Sequence, residues 1–276
     1  MPDKSFNNEI KIALDTLERY CGSSYKKFGS FLLLTNFSSY VDDFSKTYHC
    51  PITQGAMFSA SHDPDTQVSI LNFGLGSASA ALAVDLCSFI PQIKAVIMLG
   101  LCGGLRDYYK VGDYFVPVGS IRGEGTSDFY FSPEVPALGN FIIQKIITNI
   151  LDKEKAIYHI GITHTTNIRF WEFNEPFKNI LKKNKPQVIE MECATLFSAS
   201  YRREVPLGAL LLISDLPLTP GGIKTKESGT YVLKTFTKNH INMGIKASKQ
   251  LNKIIGQTKI KHRSLYSHDI PHMKMN

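Results

Sequence analysis

The sequence has no hydrophobic run long enough to cross a bilayer; the longest, around 95–101 and 207–213, stop at strand length. The first twenty residues, MPDKSFNNEIKIALDTLERY, lack the apolar core of a signal peptide, and Ile10, Ala13, Leu14 and Leu17 fall on one helical face instead. No membrane partner and no export are therefore expected. Cysteine is sparse and unpaired: Cys21, Cys50, Cys87, Cys102 and Cys193 form no CxxC motif, which argues against a disulfide scaffold and suits free thiols in a reducing cytoplasm. No Gly/Ser linker or composition break divides the 276 residues, 43% of them hydrophobic, so a single domain over 1–276 is expected.

Charge of one sign is scarce at one end. From Gly221 onward there are 11 Lys+Arg against 2 Asp+Glu, within a net charge of +7. That basic end lacks interleaved aromatics and any recognition motif, which argues against nucleic acid; a solvated helix face and a basic flexible tail over about 256–276 are expected. In the tail, His262, His268 and His272 lack the helical context of metal ligands, and no metal is expected. Gly74-Leu75-Gly76 follows an apolar segment, but Ser79 stands at the third glycine position of a dinucleotide fingerprint and no acidic residue stands at the required distance. It is read as a closely packed turn, and no cofactor is expected.

What is present alternates. Apolar strand-length segments at 31–35, 68–73, 95–105, 156–163 and 207–213 are separated by helix-forming stretches at 77–90, 141–150 and 193–201, with a long helix from about 231 to 255. Residues 36–40 read as a loop, and Gly103-Gly104 as a turn that lets backbone approach a ligand. The pattern predicts a three-layer α/β/α architecture with a central mixed sheet.

The most informative stretch is 188–217, VIEMECATLFSASYRREVPLGALLLISDLP. Glu192 ends one apolar segment and enters a small-residue helix, where the macrodipole favours a carboxylate. Asp215 ends the next segment, and Pro217 stops it. A βαβ crossover between the segments would set both acids on one sheet edge, where α/β proteins place ligands.

Glu190-Met191-Glu192 before a small-residue helix, followed by Ser214-Asp215 at the next strand end, resembles the nucleoside phosphorylase and nucleosidase superfamily. The Gly-x-Cys-Gly-Gly-Leu segment at 100–105, the Gly-Asp-x-x-Val-Pro segment at 112–117 and Arg122-Gly-Glu-Gly-Thr-Ser occur there in the same order. The resemblance implies a nucleoside phosphorylase-like fold, a homo-oligomer (a hexamer or an assembly of dimers) and a small-molecule purine substrate. It further implies that Glu192 binds ribose hydroxyls and that Asp215 protonates the leaving purine.

Phosphorolysis requires donors for a phosphate nucleophile. Aligned with hexameric purine phosphorylases, this chain has Ser39, Met98 and Leu101 where they carry Arg, Arg and Ser, so water is the expected nucleophile. Thr165-Thr166-x-x-Arg169-x-Trp171-Glu172, Ser214-Asp215-x-Pro217-Leu218 with Lys224 after it, and Thr35-Asn36-Phe37-x-x-Tyr40-Val41 resemble the catalytic domain of AMP nucleosidases, and only that catalytic part, without the additional N-terminal domain of the classical bacterial members, is expected over these residues. That branch hydrolyses AMP to adenine and ribose 5-phosphate. The site it implies has Asp215 as general acid and Glu192 on the ribose. Substrate contacts are expected from Glu190, Met191, Phe170, Asn36, Gly103 and Ser214, with Arg122, Arg169 and Lys224 as donors to the 5′-phosphate. The alternatives are a purine nucleoside phosphorylase or nucleosidase acting on adenosine or methylthioadenosine, and a catalytically silent nucleotide-binding protein on the same fold.

Overall fold

A computed structural model describes residues 4–255. The tail expected over about 256–276, with His262, His268 and His272, lies outside the described residues. The helices are α1 (Lys4–Cys21), α2 (Ser38–Tyr48), α3 (Ser77–Cys87), α4 (Phe141–Lys153), α5 (Glu175–Asn184), α6 (Cys193–Arg202) and α7 (Lys226–Ile255). The strands are β1 (Phe31–Thr35), β2 (Ile52–Gln54), β3 (Ser59–Asp63), β4 (Val68–Asn72), β5 (Ala95–Gly104), β6 (Tyr114–Gly123), β7 (Ala137–Leu138), β8 (Tyr158–Thr166), β9 (Val188–Glu190) and β10 (Leu207–Asp215).

The strand period of two sorts the core into two halves. From β1, Leu32 and Leu34 join Val96, Met98, Leu211 and Ile213 beneath α1, α3 and α6. Phe31 and Leu33 join Ile97, Leu99, Leu210 and Leu212 beneath α2, α4 and α7 on the other face. Every residue of β1 and β5 is buried, which explains why both read as unbroken apolar runs. The sheet is mixed and covered by helices on both faces, as the alternating pattern predicts.

Strand order is β10-β6-β8-β9-β5-β1-β4-β3-β2, with a further pairing of β10 to β5 that closes the first five strands into a ring. β10 runs parallel to β5, from Leu207 opposite Val96 to Asp215 opposite Gly103. β9 runs antiparallel to the end of β5, with Ile189 opposite Gly103. The expected parallel crossover from residue 188 to 215 is therefore corrected: β9 and β10 point in opposite directions and flank β5 rather than each other. Both acids still reach one place because the two strands meet the same glycine. A Cβ at Gly103 would lie 3.1 Å from Pro217 Cγ and 3.3 Å from Ile189 Cγ2, so only glycine allows this approach without displacement.

Two local readings also change. Helix α2 already starts at Ser38, so the loop after β1 is confined to Asn36 and Phe37. Gly103 and Gly104 are strand residues paired to β9, not a turn.

His240 on α7 ties the helix to the sheet. Its Nε2 lies 2.9 Å from the Leu210 carbonyl and so carries the proton, leaving Nδ1, 2.8 Å away, to accept from the Tyr40 hydroxyl. Burial pushes its pKa from the ordinary 6.5 down to about 4. A base depressed in this way binds fewer protons folded than unfolded between those values, so its contribution is intact above about pH 6.5 and is lost as pH falls toward 4. We expect urea unfolding midpoints to drop over that range, and His240→Gln, which keeps a donor for Leu210, to flatten the slope relative to the parent.

Candidate active site

The sheet edge where β5, β9 and β10 meet opens into a cavity of about 280 Å³. Its walls include Asn36, Gly103, Arg169, Glu190, Met191, Glu192, Asp215 and Lys224. Sequence reasoning named all of these.

The geometry starts at the amino end of α6, whose first amides have no partner within the helix. Glu190 supplies it: its Oε2 accepts from the backbone N–H of Glu192 at 2.7 Å and of Cys193 at 2.6 Å. The Thr165 hydroxyl accepts from Ala194 N–H at 2.8 Å and donates to Glu190 Oε1, which Thr163 also reaches at 3.1 Å. The Glu190 carboxylate thus accepts from two hydroxyls and two amides and holds the helix end at the cavity wall. Glu192 stands at the cap position, yet its side chain makes no cap bond.

Freed from capping, Glu192 turns its carboxylate to Gly76, whose N–H donates to Oε1 at 2.8 Å. The side chain is 2% exposed. Burial pushes its pKa up, the Glu190 charge adds to the rise, and Gly76 and Asn36 oppose it. The Gly74-Leu75-Gly76 turn, read from sequence as packing only, is therefore part of the site. Both glycines have positive φ, and Leu75 lines the cavity.

Asp215 is aimed by a bulge. Ile213 pairs with Cys102 and Asp215 with Gly103, so Ser214 is the extra residue in β10. Its hydroxyl lies 2.6 Å from Asp215 Oδ1 and 3.2 Å from the Cys102 carbonyl, and its single proton serves one of them at a time. Ser214 itself is outside the cavity wall. Lys224 Nζ stands 3.4 Å from Asp215. Arg169 Nη1 stands 3.4 Å from Glu172 Oε1.

Two further expected residues also lie outside the wall. Arg122 has no donor left for a phosphate: Nε donates to Ser127, Nη1 to the Ser132 and Val135 carbonyls, and Nη2 to Asp128 and the Phe131 carbonyl. It clips down the 127–135 loop. Phe170 is 73% exposed and outside the cavity wall, with the Arg169 guanidinium 5.6 Å from its ring centroid. Of the three positions compared with phosphorylases, Leu101 lines the cavity and Met98 is core. Sequence reasoning assigned no role to Trp171 and Glu172, which also form the wall. Their signal was the motif at 165–172, which marks a loop of polar and aromatic residues without saying which side chains turn inward.

The thiols are inert. All five cysteines are free and buried, and burial pushes the thiol of Cys102, on the cavity wall, well above its ordinary value. Among the described residues, no group of His, Cys, Asp or Glu could hold a metal ion, and no helix is long and apolar enough to cross a membrane.

A buried carboxylate pair beside a glycine-lined sheet edge on a mixed, helix-covered sheet defines a class. The chain belongs to the phosphorylase superfamily, whose family profile matches residues 40–255. Within it, the crystal structure of AMP nucleosidase from Bacteroides thetaiotaomicron superposes with a TM-score of 0.79 at 34% identity, covering 90% of this chain and 100% of that one. The AMP nucleosidase of Escherichia coli K12 is 25% identical over 284 residues, 86% of this chain and 58% of that protein. The chain therefore spans less than two thirds of that curated relative. Uridine phosphorylase from Vibrio fischeri, at 18% identity and a TM-score of 0.70, shares the fold.

The Glu190 arrangement has a measurable consequence. Glu190→Gln keeps the shape but turns an N–H toward groups that are themselves donors, so we expect a loss of about 1.5–3 kcal/mol in denaturant unfolding. Substituting Thr163 by Val should cost less, about 1 kcal/mol, because the carboxylate keeps its remaining donors.

Proposed function

We propose that the chain is an N-ribosyl hydrolase that cleaves AMP to adenine and ribose 5-phosphate. The observation that carries this reading is that Glu192 and Asp215 stand on the walls of one cavity whose β5 side presents Leu101 rather than a donor. A phosphate nucleophile there would lose hydration without gaining partners, at several kcal/mol per ion. Water is neutral and meets no such penalty. The similarity to AMP nucleosidases over most of the chain supports the same reading.

Breaking C1′–N9 builds positive charge on the ribose and negative charge on the purine. Asp215 gives a proton to N7, so that adenine leaves neutral. Glu192 accepts from the 2′- and 3′-hydroxyls, and its charge favours the oxocarbenium-like carbon. Met191 packs against the sugar. Water adds to C1′, and its surplus proton restores the balance that Asp215 gave up. Arg169 and Lys224 serve the 5′-phosphate. Each is 3.4 Å from its carboxylate, longer than a charge-assisted hydrogen bond, so a phosphate can draw either away. Once Lys224 turns to the phosphate, Asp215 faces the base without a cation beside it.

The protein is further proposed to act in the cytoplasm as a homo-oligomer. Phe129, Phe170 and Phe173 leave large rings in water, 91%, 73% and 74% exposed, apolar area of the kind a second copy would cover.

Incubation with AMP should release adenine and ribose 5-phosphate at a rate independent of added phosphate. Formation of a ribose 1-phosphate ester would overturn the hydrolase reading. Asp215→Asn keeps size and hydrogen bonding but has no proton to give, so turnover should fall by about 10²–10⁴ while AMP still binds. A folded Asp215→Asn protein that turns over within a few-fold of the parent would remove Asp215 from the reaction.

A further inference from the structure

The turn that reaches Glu192 gains little from packing. Chain neighbours aside, a Cβ at Gly74 or at Gly76 would meet nothing within 4 Å, and Leu75 between them is 58% exposed. Two glycines in open space leave many conformations available, so the turn needs other restraints. They are polar and sit at its ends: Asn72 Oδ1 accepts from Gly74 N–H at 3.0 Å on one side, and the Ser77 side chain is tied down on the other.

Ser77 is 3% exposed, and its hydroxyl donates to Asn167 Oδ1 at 2.7 Å. The Thr126 hydroxyl, 2.8 Å away, supplies the hydrogen that Ser77 accepts. Asn167 stands directly after β8, and its Nδ2 donates to the Glu124 carbonyl. Glu124 is fixed in turn, because its Oε1 accepts from Ser127 N–H at 2.9 Å and from the hydroxyl of Thr195, on α6, at 2.7 Å. The bonds close a circuit: from α6 through Glu124, Asn167 and Ser77 to Gly76, whose N–H returns to Glu192 at the start of α6. Asn167 must accept and donate at once, which an amide does and a carboxylate does not.

Resting on the role proposed for Glu192, we infer that Asn167 is a positioning residue for the reaction: through Ser77 it holds the Gly76 amide against the Glu192 carboxylate. An N–H aimed at a carboxylate favours the ionised form, which is the form that grips the ribose hydroxyls and offsets positive charge at C1′. Burial and the Glu190 charge push the Glu192 pKa up to about 7, and the Gly76 N–H is foremost among the bonds that oppose the rise. Without the tie the glycine turn drifts, the amide leaves, and Glu192 takes up a proton at higher pH. The other charged or titratable groups around Glu192 are Glu190 on β9, Cys102 on β5, Asp215 on β10 with Lys224 after it, and Arg169 and Glu172 after β8, with Cys193 next in the chain. Removing the Asn167 or Ser77 side chain alters none of them, so their titrations are common to parent and variant.

The test is kcat/KM for AMP hydrolysis across pH in the parent, Asn167→Ala, Ser77→Ala and the double variant. Asn167 is exposed just past its strand, so truncating it opens no core, and thermal melts establish that each variant is folded. The ratio of variant to parent should stay within about twofold of unity near pH ~9 and fall about tenfold by pH ~6, a displacement of the acid limb by about one pH unit. The double variant should match the single ones within about twofold, since all three lose the same bond. A ratio that does not change with pH, or losses that multiply in the double variant, would overturn the role of Asn167 and leave the hydrolase reading standing. If the parent releases no adenine from AMP, both readings fall together.

Discussion

The site depends on the carboxylate of Glu190. A helix that starts at a sheet edge exposes amides with no partner, and the usual solution is a side chain at the cap position itself. Here the cap position holds Glu192, and the bonds come instead from Glu190 and Thr165, two residues from adjacent strands. That division leaves Glu192 free to face the cavity, held by the Gly76 N–H and the Asn36 side chain. It also sets two acids close together in a buried place, where burial raises the proton affinity of both and the Glu190 charge adds to the rise at Glu192.

The ring of β5, β10, β6, β8 and β9 does for Asp215 what Glu190 does for Glu192. Because β5 is shared, its final glycines face β10 on one side and the antiparallel β9 on the other. A bulge at Ser214 then shifts Asp215 by one place in the ladder. The acid is fixed by backbone register, while its charged neighbour Lys224 arrives on a separate loop after β10. A rigid acid beside a movable cation is the arrangement the proposed chemistry needs.

Much of this was legible in the sequence because buried strands and their terminal residues leave a strong mark. The apolar runs of β1, β5 and β10 located the sheet, and the acids ending the later runs located the cavity. The direction of β9 was not legible: a three-residue strand carries no sign of which neighbour it pairs with, and the crossover assumed for it is the common solution rather than the one used. Nor was the role of Arg122, since the carbonyls of Phe131, Ser132 and Val135 that engage it have no signature in side-chain type. The capping by Glu190 was not legible either, because the backbone amides that face it have no signature in side-chain type.

The buried thiols have a practical consequence. All five cysteines lie beneath the surface, in settings that disfavour the thiolate. The parent chain is therefore a silent background for maleimide or fluorophore chemistry under native conditions. A cysteine introduced at Leu75, 58% exposed on the turn that reaches Glu192, would be the accessible attachment point. A dye placed there would report occupancy of the cavity by its change in emission, in a protein whose own single tryptophan lines the same cavity.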